Sequence, residues 1–157
     1  MTSRWRGKLR PRPGYQRHHV LPLALLGRPQ MAKLFGQLAE HGLRFDDFSR
    51  NGLLLPSSSR EAERSGLALH RGPHPGYNAI VLARVERIRV SMAASLAIAP
   101  FRAALDAIAR LGWLERALRR TLDGTAPRWI WLNRRDPMRL HADCADLDRM
   151  IADLFPD

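Results

Sequence analysis

The sequence predicts an α+β fold that is mostly helical and carries a few short strands. Apolar residues recur at i, i+3, i+4 and i+7 in several segments, which is the period of an amphipathic helix. The remaining apolar runs are short and are bounded by proline or glycine, as strands commonly are. Hydrophobic residues make up 45% of the 157 residues, which is enough for one packed core.

The first predicted elements are a strand and a helix. The apolar run 20–26 is predicted to begin as a strand, and Pro29 then opens a helix over 30–41. Gly42 is a natural end for that helix. Its apolar positions fall on one face, and they are Met31, Leu34, Phe35 and Leu38.

A second strand and a short helix follow. The polar segment 45–51 is typical of a turn, and the apolar segment 52–55 predicts a strand that Pro56 closes. The serines at 57–59, with acidic residues shortly after them, are typical of a helix cap and predict a helix over 59–68.

A loop and a long helix come next. Residues 69–76 contain two glycines and two prolines, which cannot comfortably continue a helix. The following segment predicts a helix over 76–97. Its apolar stripe consists of Val81, Val85, Ile88 and Met92.

The last third of the chain is also predicted to be largely helical. Pro100 starts a helical stretch with an expected break at Gly112, then 129–132 is a candidate strand and 143–155 a closing helix. The apolar positions of the helical stretch are Phe101, Leu105, Ile108, Trp113, Leu114 and Leu118. No repeat of 20–50 residues is visible in the sequence.

Composition excludes two classes of protein. Cys144 is the only cysteine, so neither an intramolecular disulfide framework nor a zinc site with several cysteines is possible. No apolar stretch approaches the roughly 20 residues of a spanning helix, which excludes an integral membrane protein. The run 20–26 is short, contains Pro22 and lacks a small-residue cleavage site, so we expect a cytoplasmic protein without a secretory signal.

The charge of the chain points to a polyanionic partner. The formal net charge is +11, and all cationic residues except Lys8 and Lys33 are arginines. Arginine suits bidentate phosphate contacts, so nucleic acid is the first expectation and an anionic membrane the second. Residues 1–17 carry six cations and no acid, which predicts a flexible basic arm over 1–13, with Arg12 and Arg17 as candidate phosphate contacts. A merely solvated tail stays open as the alternative.

Four of the six histidines form two close pairs in the sequence. His18 and His19 are adjacent, so on a strand they point to opposite faces. His70 and His74 are four residues apart, a spacing that lets two imidazoles converge on one metal ion. Three imidazoles around one cation leave coordination positions open, as in catalytic sites, and a fourth can exchange a proton near neutral pH. Spacing alone leaves ordinary structural histidines as the alternative.

The two remaining histidines are predicted to be structural. His41 lies at the end of a predicted helix, where a cation is ordinary, and His141 just precedes another.

Three ordered blocks of the sequence resemble the AHH family of the HNH/endonuclease VII nucleases, which are often toxin domains in bacteria. The blocks are 18–22 (HHVLP), 51–56 (NGLLLP) and 69–78 (LHRGPHPGYN). The resemblance spans about 14–90 and implies a ββα-metal core, in which a hairpin and a following helix hold one divalent cation. The expected organisation is therefore an arm over 1–13, an HNH-like nuclease core over 14–97 and a helical extension over 98–157 packed on that core.

The resemblance implies roles for the histidines and one asparagine. His18, His70 and His74 would be metal ligands, and His19 would be the general base that activates water. Asn51 would occupy the central asparagine position of the family and brace the base or its loop.

Further residues have secondary roles in this prediction. Tyr77 and Asn78 match the end of the family block and would support the ligands from behind. Arg71, between two implied ligands, would clamp the scissile phosphate, with an ordinary surface arginine as the alternative.

The chain departs from the family pattern at two places. The alanine that precedes the histidine pair is replaced by Arg17. Pro73 and Pro75 prevent His70 and His74 from sharing a regular helix, so His74 is expected at a helix N-terminus and His70 in the loop before it.

The sequence therefore predicts a metal-dependent endonuclease acting on DNA or RNA. One divalent ion is expected, and Mg²⁺, Mn²⁺, Zn²⁺ and Ni²⁺ all stay open, although imidazole ligands favour transition metals. A toxin domain would imply an immunity protein as partner and delivery to a target cell. The alternatives are a non-catalytic nucleic-acid-binding module, such as a degenerate relative, and a protein that zinc merely stabilises.

Overall fold

The structure, a computed structural model, describes residues 12–126 and 130–137. In this part of the chain, a two-stranded sheet is combined with five α-helices and one 3₁₀ helix. In chain order the elements are β1 (Tyr15–His19), a 3₁₀ helix (Leu23–Gly27), α1 (Pro29–Ala39), α2 (Phe48–Asn51), β2 (Gly52–Pro56), α3 (Ser59–Ser65), α4 (Pro75–Leu96) and α5 (Pro100–Leu122). The predicted α+β, mostly helical class is confirmed.

Some sequence predictions fall outside the described ranges. These are most of the basic arm over 1–13, the closing helix over 143–155, and the residues His141 and Cys144.

The two strands form an antiparallel hairpin with a long helical insertion. His19 pairs with Gly52, and Tyr15 pairs with Pro56. The first strand lies earlier than predicted, because the run 20–26 forms a 3₁₀ helix over most of its length. A contact with a distant residue explains this: the Asn51 side chain binds the backbone N–H and C=O of Leu21, which are then unavailable to a strand partner.

The first helices agree with the sequence pattern, with small shifts at their ends. All four apolar residues predicted for α1 are buried. The helix α3 begins as predicted, because the Ser58 hydroxyl accepts a hydrogen bond from the Glu61 N–H at 3.3 Å. It ends at Ser65, earlier than predicted, because Gly66 caps it in the left-handed conformation.

The segment 45–51, predicted as a turn, contains the single helical turn α2. The Asp47 side chain caps this turn by accepting a hydrogen bond from the Ser49 N–H at 2.9 Å.

Two long helices, α4 and α5, pack against each other behind the hairpin. The stripe predicted for α4 is buried. The helix α5 continues through Gly112, so the predicted break is wrong; a glycine within a helix costs only about 1 kcal/mol relative to alanine.

The buried face of α5 also differs from the prediction. It is lined by small residues together with leucines, which allows close packing on α4. Ile108 packs partly buried against the core, and Leu114 and Leu118 are buried as predicted. Phe101, Leu105 and Trp113 are instead exposed by 64%, 44% and 37%.

The candidate strand over 129–132 is not present among its described residues, 130–132, which are irregular. Ile130 and Leu132 nevertheless belong to the hydrophobic core, which extends from the hairpin through α1, α4 and α5. Within the described ranges, none of the helices combines the length and the apolar character needed to cross a bilayer.

Candidate metal centre

Three imidazoles that are distant in the sequence meet between the hairpin and the start of α4. His18 comes from β1, His70 from the loop after α3, and His74 from the position just before α4. Their candidate ligand nitrogens all lie within 4.8 Å of one another. The ring of His18 lies 4.9 Å from that of His70 and 5.7 Å from that of His74, between centroids. The close approach that the nuclease prediction requires is therefore present.

Local structure explains why these side chains converge. Strand alternation turns His18 to the buried face of β1, where it is 5% exposed. The backbone N–H of His70 donates to the Pro56 carbonyl at 2.8 Å, which ties the loop to the end of β2. Pro75 occupies the first position of α4 and so leaves His74 as the N-cap residue, as the sequence predicts.

Hydrogen bonds orient the rings of His70 and His74. His74 Nδ1 lies 2.7 Å from the Leu132 carbonyl oxygen. Because a carbonyl only accepts, Nδ1 must carry the proton, which leaves the lone pair on Nε2. His70 Nδ1 lies 2.9 Å from Gln16 Oε1, and donation to this amide oxygen likewise leaves Nε2 of His70 available.

The unpartnered nitrogens test whether the residues fit a metal ion. Nε2 of His18 and Nε2 of His74 are buried and have no hydrogen-bond partner among the residues that the structure describes. Leaving a buried polar atom without a partner costs about 1–3 kcal/mol, so such atoms usually serve a purpose. Three converging imidazole nitrogens form a donor set that suits a divalent transition ion. The residues therefore fit the implied cation.

The environment keeps the imidazoles of His18 and His70 neutral. Burial lowers the pKa of His18 to about 3, with further lowering from the charges of His70, His74 and His19. Burial, followed by the charge of His74, lowers the pKa of His70 to about 4. Near neutral pH both rings are thus deprotonated, which is the form that binds metal.

His19 lies on the other side of β1 from the cluster. Its ring packs edge-on against Phe48 at 5.3 Å between centroids. Partial burial is the largest influence on the pKa of His19 and lowers it, with a further lowering from Arg17; a hydrogen bond to the backbone of Asp46 acts in the opposite direction. The net shift is downward, which leaves a neutral imidazole able to accept a proton near pH 7.

The Asn51 side chain connects the start of the hairpin insertion, at Leu21, with its end, at Phe45. It is 4% exposed, and its side chain accepts from the Leu21 N–H at 2.7 Å. Its amide donates to the Leu21 carbonyl at 2.8 Å and to the Phe45 carbonyl at 3.0 Å. These bonds all end on backbone atoms, so Asn51 braces the loop that leaves β1 immediately after the histidine pair.

The residues predicted to support the ligands differ in their contacts. The Tyr77 ring packs against His18 at 5.4 Å, and its hydroxyl donates to the Val20 carbonyl at 2.5 Å. Asn78 is partly buried, and its backbone N–H closes the first turn of α4 onto the His74 carbonyl. Arg71 is exposed in the loop between His70 and His74.

The two arginines predicted to contact nucleic acid flank the outer face of β1. The Arg12 guanidinium lies 4.0 Å above the Tyr15 ring and pairs with Glu61 at 3.4 Å. The Arg17 guanidinium lies 4.0 Å above the Phe48 ring, so it shares that aromatic surface with His19.

Sequence reasoning missed three groups that hold the histidines. Gln16 lies two residues before His18, so strand alternation alone places both on one face and was a usable signal. No sequence feature could predict the contacts of the Asp46 backbone and the Leu132 carbonyl, because every residue has the same backbone atoms.

Comparison with known proteins gives one match. The family model AHH, described as a nuclease family of the HNH/ENDO VII superfamily with conserved AHH, matches residues 1–109. No curated protein and no solved structure matches the chain. In place of the family's conserved triplet the chain has Arg17, His18 and His19, so both histidines are retained.

Proposed function

We propose that the chain, which belongs to the AHH family of the HNH/ENDO VII nucleases, is a metal-dependent endonuclease that hydrolyses phosphodiester bonds. The observation that carries this proposal is the convergence of His18, His70 and His74, with two buried Nε2 atoms that have no partner within the described ranges. A merely nucleic-acid-binding module has no need of such a cluster.

The proposed cation would be held by the Nε2 atoms of these three histidines. When bound, it supplies charge relief at the scissile phosphate. Mg²⁺, Mn²⁺, Zn²⁺ and Ni²⁺ are candidates, and the three-imidazole donor set favours the transition metals.

His19 is the proposed general base. Its neutral imidazole accepts a proton from the water molecule whose oxygen attacks phosphorus, and the phosphorus–oxygen bond to the leaving group then breaks. Phe48 and the Asp46 backbone hold the ring in place for this role.

Arginines would bind the substrate around this centre. Arg71 is exposed between two proposed ligands, where its guanidinium can donate to the non-bridging phosphate oxygens. Arg12 and Arg17, on the outer face of β1, would bind neighbouring phosphates of the backbone. The net charge of +11 supports a polyanionic substrate.

The remaining partner and location follow from the family resemblance alone. If the nuclease is a bacterial toxin domain, an immunity protein would neutralise it, and it would act in the cytoplasm of the producing or target cell.

A cleavage assay tests the proposed function. Plasmid DNA and total RNA are incubated with the chain and each candidate metal, with and without chelator. We expect cleavage that chelator abolishes and that His74→Ala removes, while the exposed His41→Ala acts as a matched control and cleaves normally. Salt-sensitive binding with no metal-dependent cleavage would instead support the non-catalytic module.

A further inference from the structure

The segment 130–136 lies against the loop that carries two of the proposed metal ligands. Three hydrogen bonds join them. The Leu132 carbonyl binds His74 Nδ1 at 2.7 Å. The Asn133 amide donates to the Arg71 carbonyl at 2.5 Å, and a carboxylate oxygen of Asp136 accepts from the Leu69 N–H at 2.8 Å.

These contacts are spread along the whole ligand loop. One precedes His70, one lies between His70 and His74, and one is on the His74 ring itself. Together they fix the loop at its start, its middle and its end.

The segment is itself held firmly. Leu132 is 4% exposed and Ile130 is 2% exposed, so both anchor it in the core. Asn133 Oδ1 accepts from the Arg135 N–H at 2.8 Å, and the Asp136 N–H donates to the Asn133 carbonyl at 3.2 Å. Asp136 as a whole residue is 4% exposed, so water competes little for its carboxylate oxygens.

We propose that residues 130–136 form a positioning strap, which sets the orientation and tautomer of His74 and thereby the metal affinity of the centre. The strap lies beyond residues 1–109, the range that the family model matches. The inference rests on the proposed metal function of the three histidines.

The physical basis is the preference of the ring for one tautomer. A carbonyl at Nδ1 stabilises the N–H on that nitrogen and keeps the lone pair on Nε2, directed at the cluster. Asn133 and Asp136 do not touch the His74 ring. They act through the loop backbone, which keeps the ring and the Leu132 carbonyl at hydrogen-bond distance.

Two substitutions each remove one of the strap contacts, and a conservative variant accompanies the second. Asn133→Asp loses the donor to the Arg71 carbonyl but keeps Oδ1 for the Arg135 N–H. Asp136→Ala loses the acceptor for the Leu69 N–H, whereas Asp136→Asn keeps an acceptor of the same shape. Met92→Ala is a control for stability, because Met92 is buried near the far end of α4, roughly 25 Å along the helix from His74.

The first measurement is the affinity of the metal-free chain for Co²⁺, followed by the visible absorption of the bound ion. We expect Asn133→Asp and Asp136→Ala to weaken Co²⁺ binding about 10-fold, the lower end of the effect of losing an outer partner of a ligand, because both residues act on the bond between His74 and Leu132 only through the loop backbone. Asp136→Asn should restore most of the affinity, and Met92→Ala should lower the melting temperature while leaving the affinity unchanged. The added negative charge of Asn133→Asp attracts a cation, so a loss of affinity there cannot come from simple electrostatics.

The second measurement is the tautomer of His74, read from nitrogen chemical shifts in the metal-free chain near neutral pH. We expect the Nδ1–H form in the wild type and a mixture of both forms in Asn133→Asp and Asp136→Ala.

Three results would overturn the strap. Wild-type affinity together with a pure Nδ1–H tautomer in both variants shows that the segment only adds stability. An equal loss of affinity in Met92→Ala shows that the effect follows global unfolding. If the wild-type chain itself binds no Co²⁺, the proposed metal function fails and the strap with it, which is a different result from a wild type that binds and variants that bind equally well.

Discussion

His18 and His19 are neighbours on β1, yet their rings lie in different environments on opposite sides of the strand. The His18 ring lies 4.9 Å from that of His70, inside the histidine cluster. The His19 ring lies 5.3 Å from that of Phe48, outside it. The alternation of a strand thus separates a proposed metal ligand from a proposed base within one dipeptide.

This separation predicts different consequences for the two histidines. His19→Ala should lower the cleavage rate about 100-fold or more, the usual contribution of a general base, while metal affinity stays near that of the wild type. Single-turnover cleavage and Co²⁺ titration on the same preparation measure both quantities. Cleavage by His19→Ala at the wild-type rate would assign the base to another group.

Metal binding should stabilise the fold, because the three ligands come from separate parts of the chain. At a metal concentration about 100 times the dissociation constant, the free energy of unfolding should rise by about 2.7 kcal/mol. Thermal melts with Zn²⁺ or Ni²⁺, and then with chelator, measure this rise. His18→Ala should abolish the rise, whereas the control His41→Ala should keep it; a rise that persists in His18→Ala contradicts the proposed ligand set.

Asn51 is predicted to stabilise the folded chain and not to take part in the reaction itself. Asn51→Ala would leave the buried N–H of Leu21 and the carbonyls of Leu21 and Phe45 without their partner, at a cost of about 2–4 kcal/mol in the free energy of unfolding. Urea unfolding measures this change in the free energy of unfolding. Asn78→Ala is the control and should change stability by less than about 0.5 kcal/mol. Equal stabilities for the two variants would remove the bracing role.

Gly52 allows a close approach that positions Phe48 beside His19. A Cβ at Gly52 would lie 2.3 Å from both Phe48 Cδ2 and the Phe48 carbonyl oxygen, so backbone as well as ring must move. Gly52→Ala should therefore lower the free energy of unfolding by about 1–3 kcal/mol and shift the His19 ring resonances.

The matched control for this change is Gly36→Ala on α1. A Cβ there meets no atom of the described residues within 4 Å, and the substitution should stabilise the helix by about 0.5–1 kcal/mol. If Gly52→Ala leaves the His19 resonances in place, Phe48 does not position that ring.

The metal-free chain should lose stability as the pH falls from neutrality. The pKa of His18 is about 3 in the folded chain, below its ordinary value of 6.5, so the unfolded chain takes up the proton first. The contribution of neutral His18 to the free energy of unfolding is complete above about pH 6.5 and is lost as the pH falls towards the folded pKa. The loss is about 1.4 kcal/mol for each pH unit. Between about pH 6.5 and 5, His18 alone should account for about 2 kcal/mol.

Urea unfolding in chelator at these two pH values measures the loss. His18→Gln cannot take up the proton and should make the pH dependence shallower, while His70, whose pKa is lowered to about 4, continues to contribute. An unchanged slope in this variant would show that other groups cause the loss.

Much of the candidate site was predictable because its residue types carry local information. The two histidine pairs, their spacing and the prolines around His74 are visible in the sequence, and Pro75 does begin α4. The apolar stripes of α1 and α4 also agree with the structure, because each helix buries one continuous face.

The errors lie where a distant part of the chain decides the outcome. β1 precedes the apolar run because the Asn51 side chain binds Leu21. In α5, the apolar periodicity is compatible with more than one buried face. The face rich in alanine is buried because it packs closely against α4, and Phe101 is left exposed.

The amino-acid order by itself determined the fold class, the family and the histidines available for chemistry, because helical period, turn residues and imidazoles are properties of short segments. Only the tertiary structure decided that the Leu132 carbonyl holds His74 and that Gln16 holds His70. Those contacts depend on which segments become neighbours when apolar surfaces are buried, and the packing of the whole core decides this.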